Sequence, residues 1–73
     1  MKKEDKEQRF KRLATARTNE ILKKLRILGN CSNRSAYEYS EEDISKIFGA
    51  IERAVRESKS KFYFPNPSNK FKL

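Results

Sequence analysis

Apolar residues in the first part of the chain recur at steps of three and four positions. The members of this series are Phe10, Leu13, Ala14, Ile21, Leu25 and Leu28. This spacing is the period of an α-helix with one apolar side, and it predicts a helix over residues 4–28, although Arg17 and Thr18 interrupt the apolar series. Gly29 follows the last apolar position, where a glycine in the left-handed conformation is expected to end the helix.

A second apolar series of the same period predicts a helix over residues 41–61. Its members are Ile44, Ile47, Phe48, Ile51, Ala54, Val55 and Phe62. Ser40 precedes this helix and Asp43 follows three residues later, which is the spacing of a capping box. The acids at 41–43 lie where the helix dipole favours negative charge. We assign Phe62 to the hydrophobic core.

The remaining segments determine how the two helices are connected and where they end. Residues 29–39 form a polar connection of about eleven residues, which is long for a link between helices and is expected to be an ordered loop. A helix cannot continue past Pro65. The sequence therefore predicts an all-α fold, with an antiparallel two-helix hairpin over residues 1–62 and an extended arm over 63–73. Its apolar surface exceeds what one hairpin covers, which favours a symmetric dimer forming a four-helix bundle.

Charge is distributed unevenly along the 73 residues. The formal net charge is +8, and it divides into +6 over residues 1–28, −3 over 29–52 and +5 over 53–73. Two basic ends favour a polyanionic partner, nucleic acid before an acidic protein or an anionic membrane surface. No apolar run approaches the ~20 residues of a membrane span, and no apolar region follows the charged amino terminus. We therefore expect neither a membrane span nor a signal peptide, and a cytoplasmic protein.

The reactive side chains are too few for a familiar catalytic site. The chain has one cysteine, Cys31, and no histidine, which excludes Cys-His zinc sites and leaves the thiol without an imidazole base. We interpret Cys31 as a structural or incidental thiol. The acids at 41–43 are interpreted as a capped helix start and not as a metal site. We therefore predict a protein that is not an enzyme and needs no metal or cofactor.

Basic residues outside the first apolar series are the candidates for phosphate contacts, with solvation alone as the equally weighted alternative. The nucleic-acid-binding candidates are Arg9, Arg12, Lys23, Lys24, Arg26, Arg34, Lys70 and Lys72. Phe64 and Phe71 lie near the last two lysines, and aromatic rings among cations can stack on unpaired bases. The side chains of Asn30, Asn33 and Arg34 can read base edges, but we favour their role as turn formers.

A protein partner is the alternative to nucleic acid. In this second hypothesis the chain is an adaptor or inhibitor, for example of a host nucleic-acid machine, and large aromatic side chains anchor the contact. The candidate anchors are Tyr37, Tyr39, Tyr63, Phe64 and Phe71. The connection at 29–39 is too long for the turn of a helix-turn-helix motif, so that DNA-binding fold is not predicted.

Four short segments between the helices and at their ends carry a resemblance to other proteins. They are Leu28-Gly29-Asn30, Asn33-Arg34-Ser35, Tyr37-Glu38-Tyr39-Ser40-Glu41-Glu42-Asp43 and Lys46-Ile47-Phe48. With them, residues 17–62, about two-thirds of the chain, resemble a family of small uncharacterised bacterial proteins, some encoded on mobile elements. That family has no assigned activity. The resemblance therefore implies a compact two-helix unit and transfers no functional residue.

Overall fold

The computed structural model describes residues 3–64, and the elements in this range are helical. Helix α1 spans Lys6–Gly29, a short 3₁₀ helix follows at Asn30–Ser32, and helix α2 spans Glu41–Ser60. No strand occurs within residues 3–64, which confirms the all-α prediction and the two helices, with bounds within two residues of those expected. The chain divides into two units, residues 1–38 and 39–73.

Helix α1 begins with a capping box. Asp5 has an extended backbone, and its Oδ1 accepts a hydrogen bond of 2.7 Å from the backbone N–H of Gln8. In return the backbone N–H of Asp5 donates to Oε1 of Gln8 at 3.3 Å. These bonds satisfy two backbone donors that the first turn of a helix leaves without partners. The signal for this start was present in the sequence as an acid followed three residues later by glutamine.

The end of α1 differs from the prediction at Gly29. This glycine has φ −59° and ψ −25°, which is right-handed helical geometry, and it belongs to α1. The left-handed ending expected at Gly29 is therefore wrong. The chain instead tightens into the 3₁₀ helix, and the N–H of Asn30 donates to the carbonyls of Ile27 and Leu28. A shared donor of this kind satisfies carbonyls at a helix end without a residue of positive φ.

Substituting Gly29 with alanine tests this ending. No side chain lies within 4 Å of the position that an added Cβ would occupy, and the backbone there suits any L-residue. Because alanine loses less backbone entropy than glycine in a helix, Gly29→Ala is expected to raise the free energy of unfolding by about 0.5 kcal/mol. Thermal or urea unfolding followed by circular dichroism measures the change. A loss of stability would indicate that Gly29 is left-handed after all.

A turn built around Asn33 follows the 3₁₀ helix. Oδ1 of Asn33 accepts from the N–H of Ser35 at 3.0 Å, and its carbonyl accepts from the N–H groups of Ala36 at 3.1 Å and Tyr37 at 2.9 Å. An asparagine that bonds the backbone two residues ahead forms an Asx turn. The turn-forming role favoured for Asn33 is confirmed.

Helix α2 begins at the cap predicted from the sequence. Ser40 is extended at φ −102° and ψ 164°, and its Oγ accepts from the N–H of Asp43 at 3.0 Å. Oδ2 of Asp43 accepts from the N–H of Ser40, also at 3.0 Å. This reciprocal pair confirms the capping box in which aspartate replaces the more usual glutamate.

Removal of the Ser40 hydroxyl is expected to destabilise α2. Ser40→Ala leaves the N–H of Asp43 without its acceptor and is expected to lower the free energy of unfolding by about 1 kcal/mol. Ser45→Ala is the matched control, because Ser45 is exposed inside the same helix, where alanine is the better helix former. The comparison of the two thermal midpoints checks the prediction, and equal midpoints would exclude Ser40 as the cap.

Neither helix buries its own apolar side. None of residues 3–64 is buried, and even the best-covered apolar positions, such as Leu13, Leu28 and Ile51, are only half-buried. Phe62 is 62% exposed, and its assignment to a core stays a prediction that depends on the pairing of the two helices. The physical reason for this exposure is that each unit holds one long helix, and a single helix cannot bury its own apolar side.

Candidate nucleic-acid interface

The side of α1 away from its apolar positions carries four of the predicted cations. At about 100° per residue, Arg9, Arg12, Lys23 and Arg26 lie at least about 120° around the helix from Ile21. They form two pairs. Arg12 and Lys23, the nearest members of the two pairs, are separated by about 16 Å along the helix axis, at 1.5 Å per residue.

Lys24 and Arg17 lie on the other side of α1. The same helical geometry places them about 60° and about 40° from Ile21, on the apolar side. Lys24 is adjacent in sequence to Lys23, and both are exposed, so its ammonium group can still reach the solvent beside the carboxyl-terminal pair. Arg17 interrupts the apolar side near its middle, as the sequence indicated.

Arg12 is already engaged with an acid of its own chain. Its Nε donates to both carboxylate oxygens of Glu4, at 3.0 and 3.3 Å. This hydrogen bond, together with the negative charge of Glu4, raises the pKa of the Arg12 guanidinium. Like other arginines, Arg12 stays protonated at any working pH. An external phosphate would have to compete with Glu4 for it, a pairing that the sequence analysis missed because the partners are eight residues apart.

Three cations lie near the carboxyl end of α1, with Lys23 and Arg26 on the basic side of the helix and Lys24 toward its apolar side. Lys23, Lys24 and Arg26, here named the C-terminal cation cluster, are exposed, and none has an ion-pair partner within residues 3–64. Lys11, by contrast, pairs with Glu7 at 3.1 Å. The cluster lies near the helix end whose carbonyl groups favour positive charge, so its cations are compatible with α1 itself.

The remaining predicted cations lie outside α1. Arg34 is exposed at the turn that follows Asn33. Lys70 and Lys72 lie outside the described residues. The structure therefore brings Arg9, Lys23 and Arg26 onto one side of one helix, and it places Arg34 beyond the end of that helix.

Aromatic residues proposed as protein anchors are mostly exposed. Tyr37, in the first unit, is 54% exposed, while Tyr63 and Phe64, in the second, are 81% and 86% exposed. Tyr39 is half-buried, and Phe71 lies outside the described residues. Tyr63 and Phe64 lie three and four residues after Ser60, the last residue of α2, and present two consecutive rings to solvent.

The other reactive groups have local roles or stand alone. Cys31 is exposed in the 3₁₀ helix. Asp43 completes the cap of α2, and Glu42 pairs with Lys46 at 3.1 Å. Within residues 3–64 no group of three or more Cys, Asp or Glu side chains is arranged to hold a metal ion. Neither helix in that range carries an apolar stretch of the length needed to span a lipid bilayer.

Relationships to known proteins complete the description of the site. Comparisons of this chain with protein families, with curated proteins and with solved structures found no match. The resemblance to small bacterial proteins noted from the sequence therefore stays a prediction, and the functional interpretation depends on the residues themselves.

Proposed function

We propose that this chain is a small, non-enzymatic, nucleic-acid-associated protein that contacts phosphates through the basic side of α1. The C-terminal cation cluster is the observation that carries the proposal. Lys23, Lys24 and Arg26 are each exposed and have no ion-pair partner in the described chain. Glu20, the acid nearest to them in sequence, forms no ion pair with Lys23 or Lys24, while the more distant Glu4 and Glu7 pair with Arg12 and Lys11. Their charge is available to a polyanion without the loss of an internal ion pair.

The type of contact follows from the side chains. Lysine and arginine bind phosphates by charge and hydrogen bonding, and each neutralised phosphate releases condensed counterions. Such contacts position a protein on nucleic acid but do not read its sequence. Asn33, a candidate for base reading, uses its side-chain oxygen in its own turn. The proposal is therefore binding with little sequence preference, in a general or regulatory role.

Binding by the unmodified chain is the direct test. Affinity for a mixed-sequence duplex and a mixed-sequence single strand is measured by fluorescence anisotropy at about 50 and 200 mM salt. We expect detectable binding at the lower salt that weakens steeply at the higher, because released counterions make association salt-dependent. No binding to either oligonucleotide at the lower salt would rule out the proposal, since electrostatic attraction is least screened there.

A protein partner is the second candidate function, and the exposed aromatic pair after α2 favours it. Tyr63 and Phe64 are among the most exposed large side chains of the described chain, and such rings serve as anchors at interfaces. An adaptor or inhibitor would retain its partner after nuclease treatment. A pull-down with and without nuclease therefore separates the two functions, because a partner bridged by nucleic acid is lost on digestion.

The proposal includes the architecture predicted from the sequence, an antiparallel hairpin whose copies pair into a four-helix bundle. Support comes from the two helices and from the apolar side that each leaves uncovered. A helix with such a side is stable only when another element covers it. Long-range nuclear Overhauser effects between Ile21 and α2, or their absence, test the hairpin.

A further inference from the structure

The apolar side of α2 is continuous and is centred on the middle of the helix. Ile51 is the midpoint of the series, and Ile44, Ile47, Phe48 and Val55 lie within about 60° of it around the helix, with no charged residue among them. Ile51 is half-buried, and the other four are 37–57% exposed. The apolar side of α1 is different, because Arg17 lies near its centre. The α2 surface is therefore the better candidate for an interface.

The charges that border this surface change sign along the helix. Glu41 and Lys59 are eighteen residues apart, which is five full turns, so they lie on the same border of the apolar surface. Asp43 and Lys61 have the same spacing and lie on the opposite border, each about 80° from Ile51. Each border is thus acidic at the amino end of α2 and basic at the carboxyl end. Glu52, about 100° from Ile51, adds an acid near the middle of the border that carries Glu41 and Lys59, and it lies near its own copy in an antiparallel pair.

A border of this kind is complementary to a second copy of itself in one direction only. In an antiparallel pair related by a twofold axis at Ile51, Glu41 of each chain lies beside Lys59 of the other. In a parallel pair the acidic first turns of both helices meet, and like charges at the edges of a helix pair are repulsive. Glu41 and Lys59 are exposed and have no ion-pair partner within residues 3–64.

We infer that α2 pairs antiparallel with α2 of a second copy of this chain, along the surface centred on Ile51, with Glu41 of each copy opposite Lys59 of the other. We assign the partner helix to a second copy of the chain because, in the antiparallel orientation, the acidic end of each border lies beside the basic end of the same border in the other copy. Burial of the isoleucines and Phe48 supplies the attraction, and the border charges determine the direction. This inference rests on the dimeric four-helix bundle proposed above, since it specifies which helices meet across the twofold axis, and it does not depend on nucleic-acid binding by α1.

Exchange of the border charges between two variants tests the pairing. Sedimentation equilibrium of the full chain, in a reducing agent that keeps the exposed Cys31 from forming disulfides, measures the dimer dissociation constant. Glu41→Lys alone and Lys59→Glu alone each replace two attractive contacts per dimer by two repulsive ones. We expect each to dimerise about tenfold more weakly than the unmodified chain. An equimolar mixture of both variants restores attraction, and we expect it to regain near-original affinity as a heterodimer.

The mixture is compared with each variant alone, so any effect of the substitutions on helix stability is present on both sides of the comparison. Glu57→Lys and Arg56→Glu are the matched controls, because both positions lie at least about 120° from Ile51. They are expected to dimerise like the unmodified chain. Native mass spectrometry with one variant isotope-labelled identifies the heterodimer. A monomeric unmodified chain at micromolar concentrations, variants of unchanged affinity, or a mixture that stays as weak as its components would each overturn the inference.

Discussion

Replacing Ile51 with aspartate is expected to abolish cooperative unfolding of the chain. Ile51 lies at the centre of the only apolar surface of α2, and it is among the least exposed positions of that surface. A carboxylate placed there must lose its hydration when the surface is covered, at a cost of about 3 kcal/mol or more. A chain of 73 residues has little stability in reserve. The helical circular dichroism signal should decline gradually with temperature, where the unmodified chain gives a sigmoidal transition.

Ser45→Asp is the matched control for this substitution. It introduces the same charge into the same helix, at an exposed position about 120° from Ile51. We expect it to leave the unfolding transition nearly unchanged, because exposed substitutions usually alter stability by less than about 0.5 kcal/mol. If Ile51→Asp and Ser45→Asp unfold alike, the α2 surface is not covered in solution, and the architecture proposed above is wrong.

Neutralising the C-terminal cation cluster is expected to have the largest effect on nucleic-acid binding. Glutamine at positions 23, 24 and 26 removes three cations and keeps helix propensity nearly constant. If all three contact phosphates of a duplex, the slope of log affinity against log salt should become shallower by about 2.7. We expect at least tenfold weaker binding at about 50 mM salt, measured by anisotropy, with a similar loss for every sequence tried.

Three cations elsewhere provide the control for net charge. Glutamine at Lys11, Lys46 and Arg53 lowers the formal charge by the same amount, but both lysines already pair with acids. A smaller loss of affinity is expected, because net charge alone acts at a distance and is screened by salt. Equal losses of affinity in the two triple variants would mean that binding depends on the total charge of the chain and that the cluster is not the interface. Arg12→Gln should have an intermediate effect, since Glu4 already holds that guanidinium.

The start of each helix could be predicted from neighbouring residues because capping is a local interaction. The Ser40 and Asp43 pair was recognised from its spacing, and the hydrogen bonds of 3.0 Å in both directions confirm it. The equivalent pair at Asp5 and Gln8 carries the same signal, yet the predicted helix began at residue 4, because charged residues on both sides obscured the cap. In both cases the bonded residues are three positions apart, so their spacing in the sequence is enough to predict the contact.

The end of α1 was less predictable because glycine permits more than one conformation. A left-handed Gly29 and a right-handed Gly29 fit the same sequence pattern, and the choice depends on which carbonyls the following N–H groups reach. In the structure the N–H of Asn30 is shared between two carbonyls, and the backbone continues into the 3₁₀ helix. No residue property upstream of Gly29 distinguishes these outcomes.

The sequence by itself determined the two helices, their caps and the side of each helix that carries charge, because helical periodicity and capping depend on residues within one or two turns. Only the three-dimensional structure decided which charged side chains form ion pairs. Glu4 reaches Arg12 across eight residues, and Glu7 holds Lys11, whereas Lys23, Lys24 and Arg26 keep their charges exposed without an acid partner in the described chain. Glu7 and Lys11 are four residues apart, a spacing at which helical side chains meet, but Glu20 and Lys24 have the same spacing and do not pair. The Glu4–Arg12 contact depends on the path of the backbone before the helix, so spacing alone does not decide which charges pair.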